Sequence, residues 1–122
     1  MKVTFSAVLI GVRDILKSQP FYENVFGVTF DEVRPPFSSF MLNGIEFQIE
    51  ELSVDRSDKW SERYVGTPKG FCFETNDINE FLKRVVDNGG AITSAVKDLP
   101  WGYREARFTD LDGNDFIIEQ PL

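Results

Sequence analysis

The 122-residue chain contains no histidine, one cysteine and no long apolar run, and acidic residues outnumber basic ones. Without histidine there is no Ser-His-Asp or Cys-His catalysis and no metal site built on imidazole. A single cysteine, Cys72, rules out intrachain disulfides and Cys-based zinc sites, and it suits a reducing cytoplasm, where we expect the protein to reside. The longest apolar opening, Val3 to Ile10, is followed at once by Arg13-Asp14, so it reads as a strand. A spanning helix would need about 20 apolar residues and a secretory leader a cleavage site. With 13 Lys+Arg against 20 Asp+Glu the net charge is −7, which argues against nucleic acid or an anionic membrane as partner.

What remains is 42% hydrophobic and 27% charged, a composition that supports one globular domain with its own core. Val3 to Val12 reads as a buried strand. Ser18 reads as a helix N-cap with Pro20 in the first turn, Phe21, Tyr22, Val25 and Phe26 as the apolar stripe, and Gly27 as the stop. Strands are expected over Val28 to Val33, Phe37 to Leu42 and Ile45 to Glu50, the last two joined by the hairpin signal Asn43-Gly44. Residues 51–69 form a polar connector that crosses the surface or contributes to a lid. It holds Asp55, Arg56, Asp58, Lys59, Glu62 and Arg63, with Trp60 and Tyr64 as its large anchors or as a dimer contact.

The pattern then starts again. Phe71 to Thr75 reads as a strand, and Asn76 or Asp77 caps a helix that presents Ile78, Phe81, Leu82, Val85 and Val86 and stops at Asn88-Gly89-Gly90. Strands follow at Ala91 to Lys97, Tyr103 to Thr109 and Asp115 to Gln120, with the tight turn Asp112-Gly113-Asn114 before the last. Asp14-Ile15 and Asp77-Ile78 lie 63 residues apart, as do Gly27 and Gly90, because 77 − 14 = 90 − 27 = 63. Each half reads strand, helix, strand, strand, strand, and neither covers both faces of its sheet alone. The expected class is α+β, a single domain of module one (1–50), connector (51–69) and module two (70–122).

Val12-Arg13-Asp14-Ile15, Phe21-Tyr22-Glu23-Asn24-Val25-Phe26-Gly27, Phe73-Glu74-Thr75-Asn76-Asp77-Ile78, Pro100-Trp101-Gly102 and Phe108-Thr109-Asp110-Leu111-Asp112-Gly113-Asn114 together resemble the vicinal-oxygen-chelate superfamily, the glyoxalase, bleomycin-resistance and extradiol-dioxygenase group. The resemblance covers essentially the whole chain outside the connector. It implies tandem βαβββ modules forming a curled mixed sheet around a cleft, with helices on the outer face and a divalent metal held by His and Glu. The positions that match those ligands are Ala7, Gln48, Gly70 and Ile117, so three of the four carry no donor. The resemblance therefore implies a protein without metal or other cofactor, close to the bleomycin-resistance, antibiotic-binding branch and expected to be a homodimer.

Strand alternation extends that reading. Phe5, Ala7 and Leu9 share one face, as do Glu46, Gln48 and Glu50, then Gly70, Cys72 and Glu74, then Asp115, Ile117 and Glu119. A cleft lined by Phe5, Phe40, Glu46, Gln48, Cys72, Glu74, Trp101 and Glu119 suits a small organic ligand, cationic or aromatic. The same carboxylates also read as solvated faces of half-buried strands, and a one-residue register slip would turn them outward. Cys72 has no evident basic neighbour and reads as an ordinary buried thiol. Trp101 either caps the pocket or anchors its loop. The competing function is a lyase, isomerase or dioxygenase-like enzyme with unconventional carboxylate ligands, or with Glu46, Glu74 and Glu119 as acid/base groups. A weaker alternative is a non-catalytic domain that binds protein through the connector.

Overall fold

A computed structural model describes residues 1–52 and 59–122, so Asp55, Arg56 and Asp58 of the connector lie outside the described residues, as does the side chain of Trp60. The chain is α+β, with a three-stranded and a four-stranded mixed sheet. It divides into two compact units, Met1–Val65 and Gly66–Leu122. Among the described residues no helix is long and apolar enough to cross a membrane.

The first unit contains β1 (Val8–Val12), α1 (Ile15–Phe26), β2 (Phe37–Leu42), β3 (Ile45–Glu51) and the short α2 (Trp60–Tyr64). Its sheet runs β1-β3-β2, parallel between β1 and β3 and antiparallel between β3 and β2. Asn43 and Gly44 have φ of 53° and 80°, as the tight hairpin requires.

Three expectations are corrected in this unit. The first strand begins at Val8 rather than Val3, and residues 1–6 are exposed outside regular structure. The helix begins three residues before Ser18, because the Asp14 carboxylate accepts the Leu16 and Lys17 N–H groups and caps it. Ser18 is buried inside the helix with its hydroxyl on the Asp14 carbonyl, and Pro20 lies in the second turn. Residues 28–33 form no strand. The segment meets β2 through the Asp31 N–H on the Ser39 carbonyl and ends in a bridge between Arg34 and Phe37.

The second unit contains β4 (Pro68–Glu74), α3 (Ile78–Asp87), β5 (Ala91–Asp98), β6 (Tyr103–Thr109) and β7 (Asp115–Pro121), with sheet order β4-β7-β6-β5. β4 starts inside what reads as connector, and it buries Lys69 there. Asp77, not Asn76, caps α3, and Val86 is exposed rather than on the buried stripe.

Both units share the order strand, helix, strand, strand, the first without the further strand expected of it, and the repeat is also visible in hydrogen bonds. The first helical N–H of α1, at Ile15, donates to the Glu51 carboxylate, and that of α3, at Ile78, donates to the Gln120 amide oxygen. In both units a side chain from the end of the last strand thus satisfies a helix-start donor, which fixes each helix against its sheet. The cores are aromatic. Tyr22, Phe30, Phe40 and Phe47 pack in the first unit, and Phe71, Phe73, Phe81, Phe108 and Phe116 in the second.

Candidate functional site

β1, β3 and β2 each turn alternate residues away from α1. Phe47 and Ile49 of β3 go to the core, and Glu46, Gln48 and Glu50 take the other face. The register places Leu9 beside Gln48 and Gly11 beside Glu50 on one side, with Met41, Ser39 and Phe37 beside Glu46, Gln48 and Glu50 on the other. An open hollow of about 400 Å³ lies on this face, lined by Leu9, Phe37, Ser39 and the three polar residues of β3, with Glu32 and Arg34 also contributing.

Of the carboxylates lining the hollow, Glu46 and Glu32 reach its surface, whereas Glu50 is fully buried. Arg34 is held by Glu32 at 2.7 Å, and the Gln48 amide donates to the Glu46 carboxylate at 3.0 Å. At one end the chain after α2 crosses β1. The Tyr64 hydroxyl donates to the Leu9 carbonyl at 2.8 Å, and a Cβ on Gly11 would come within 2.7 Å of the Val65 side chain. Only glycine accommodates that crossing without displacing Val65. Burial pushes the Tyr64 hydroxyl pKa above its usual 10.0. Tyr64 is thus used inside its own unit.

The eight expected lining residues separate into three groups. Glu46 and Gln48 line the hollow together. Phe40 does not: it is 3% exposed and stacks between Phe30 and Phe47 on the core side of β2, because its register partner is the inward Phe47. Phe5 is 76% exposed and precedes the first strand, so no alternation governs where it faces.

Cys72, Glu74 and Glu119 belong to the second unit and share the sheet face away from α3. The register continues the row from Glu74 through Glu119 to Glu105, an acidic residue that sequence reading missed. Its signal was the alternation of Tyr103 to Thr109 against the last strand. Trp101 sits in the turn between β5 and β6, 69% exposed. The turn is held by backbone bonds from Gly102 to Leu99 and from Leu99 to Tyr103 rather than by ring burial.

Cys72 is exposed rather than buried, and Glu119, Glu105 and Arg107 are its charged neighbours. Desolvation first, then the Glu119 and Glu105 charges, push its thiol above the usual 9.0, and Arg107 only partly opposes them. Alkylation of native Cys72 by iodoacetamide should therefore have a rate midpoint above pH 9.0 and fall below that of a free thiol at pH 8. A midpoint shifted below 9.0 would contradict this environment.

The donor set at the superfamily's ligand positions does not fit a divalent ion. Ala7 and Ile117 offer hydrocarbon and Gly70 no side chain, which leaves Gln48 alone. Among the described residues no group of three His, Cys, Asp or Glu side chains is placed to hold a metal. The sequence pattern missed Phe37 as a lining residue, although its position opposite Glu50 was implicit in the hairpin register.

No curated protein matches the chain. Solved structures do. A superfamily member from Sphaerobacter thermophilus DSM 20745 is 26% identical with TM-score 0.76, over 97% of this chain and 98% of that one. A glyoxalase/bleomycin resistance protein/dioxygenase family enzyme from Burkholderia phytofirmans PsJN is 18% identical with TM-score 0.75, over 96% and 98%. The fosfomycin resistance protein FosX from Listeria monocytogenes is 19% identical with TM-score 0.75, over 100% and 96%. The last two likenesses are of fold alone. The family model of the glyoxalase/bleomycin resistance protein/dioxygenase superfamily matches residues 4–118, across both units, and the chain belongs to that superfamily.

Proposed function

We propose that the chain is a metal-independent binding protein of this superfamily that sequesters a small organic cation with an apolar body, as a cytoplasmic homodimer. The observation that carries the reading is the hollow on β3, where the part-exposed Glu46 carboxylate and the Gln48 amide stand with Leu9 and Phe37 as apolar neighbours, Glu50 being buried beneath. A carboxylate beside apolar walls attracts a cation while burying its hydrocarbon, and that combination gives both orientation and affinity. The lack of donors at Ala7, Gly70 and Ile117 supports binding without metal chemistry.

The test is a thermal-shift and titration series with benzyltrimethylammonium, benzamidine and benzenesulfonate. A cation should stabilise the protein by about 2.7 kcal/mol at a hundredfold excess over Kd, unchanged by EDTA. Glu46→Gln should weaken binding about two- to fivefold, the size of a partly exposed ion pair. Binding of the sulfonate alone, or stabilisation that requires added Mn²⁺, Ni²⁺ or Mg²⁺, would overturn the reading.

A further inference from the structure

The hollow carries its surface charges at two separate ends. Glu46 stands near the start of β3, where its Oε2 accepts the Gln48 amide and no cation pairs with it among the described residues. Arg34 is the one basic residue of the lining. It lies in a bridge directly opposite Phe37, which in turn is opposite Glu50, so Arg34 is two strand spacings to the side of β3 and level with the buried Glu50. Directly paired residues share a face, which puts Arg34 on the hollow's side with Phe37. Four rises along β3 and two strand spacings across it set the Cα atoms of Glu46 and Arg34 roughly 16 Å apart.

We propose that the hollow takes a dipolar ligand, with an ammonium group at Glu46 and a carboxylate or similar oxyanion at Arg34, joined by an apolar chain. This rests on the cation-binding reading above and goes further by assigning the ligand a second charge and a length. Arg34 donates to Glu32 through Nη2 at 2.7 Å, and the two side chains are 77% and 70% exposed. An ion pair so open to water holds its partners weakly. The single Nη2 contact leaves Nε and Nη1 of the guanidinium to grip an oxyanion in the paired geometry that arginine favours. A second ligand cation gains nothing at an end that already holds a guanidinium, so the two ends select opposite signs. Leu9 and Phe37 line the space between them, which suits methylene groups rather than further polar ones. The charges of an α-amino acid lie too close together to meet both ends.

The test titrates the full chain with ω-aminooctanoate, octylamine, octanoate and octanediamine at physiological salt, where attraction between exposed charges is screened beyond about 8 Å. The parent should bind ω-aminooctanoate about two- to fivefold more tightly than octylamine, the size of one added, partly exposed ion pair. The short ω-aminobutyrate should gain nothing over butylamine. Arg34→Gln should abolish the advantage of ω-aminooctanoate without weakening octylamine, whereas a general loss of fold would weaken both. Lys83→Gln removes the same charge from α3, outside the hollow, and should keep the advantage intact. Equal binding of ω-aminooctanoate and octylamine, an advantage that survives Arg34→Gln, or tighter binding of octanediamine than of ω-aminooctanoate overturns the role of Arg34 and leaves the cation-binding reading standing. If no amine binds, or octanoate alone does, both readings fall.

Discussion

Replacing Asp110 with alanine should cost about 3–5 kcal/mol of stability, the range for breaking a buried charged hydrogen-bond network. The carboxylate is buried, and its two oxygens accept three donors. Oδ1 takes the backbone N–H groups of Asp112 and Asn114 at 2.9 and 3.0 Å, and Oδ2 takes the Asn114 side-chain amide at 2.9 Å. The Asn114 amide oxygen in turn accepts the Gly66 N–H at 2.9 Å, so one side chain fixes both the turn before β7 and the backbone just before β4. Alanine leaves the two buried Asn114 donors and the half-buried Asp112 N–H without that partner, and each orphaned buried group costs about 1–3 kcal/mol.

Equilibrium urea unfolding followed by circular dichroism measures the loss, and a cost below about 1 kcal/mol would refute the network's role. The same substitution removes the negative charge that partly offsets the desolvation of Lys69. Lys69 has its pKa lowered from 10.5 by burial, so between the lowered value and 10.5 the unfolded chain binds more protons. Its contribution to stability therefore rises as pH climbs through that window, and without Asp110 the window should widen toward neutrality.

Phe40→Ala should cost about 3–5 kcal/mol, as expected for truncating a buried phenylalanine. The ring lies parallel to Phe47 at 5.1 Å with an interplanar angle of 2°, and its centroid is 5.4 Å from Phe30 and 5.7 Å from Tyr22. Removing it opens a cavity among rings that α1, β2 and β3 hold from different sides, so collapse is incomplete. A pocket residue would behave in the opposite way, lowering ligand affinity with little change in the unfolding midpoint. Unfolding and titration of the same variant separate the two outcomes.

These two residues also show how far the sequence reaches. Asp110 stands in the string Phe108-Thr109-Asp110-Leu111-Asp112-Gly113-Asn114, where a turn was legible from composition alone. Which carboxylate ties it was not, because Asp110 and Asp112 are equally good Asx-turn formers and only burial distinguishes them. Phe40 was misplaced because a strand's period puts residues on one of two faces without saying which face is the core. Its pairing with Phe47 decides it.

By itself, the sequence determined the α+β class, a strand, helix, strand, strand order common to both halves but not the number of strands in the first, the Asn43-Gly44 hairpin, the inward faces of β3, β4 and β7, and the absence of donor side chains at Ala7, Gly70 and Ile117. These depend on residue identity, local turn chemistry and short periodicities, which need no distant partner. Only the tertiary structure decided that the strand starts at Val8, that Asp14 caps α1, that Glu51 and Gln120 complete the two helix starts, and that Phe37 rather than Phe40 borders the hollow. The Asp14 cap is local, two and three residues from the N–H groups it accepts, whereas the others turn on which residue sits across from another after the chain has folded back. Bonds between residues 36 and 42 apart leave no local mark in the sequence.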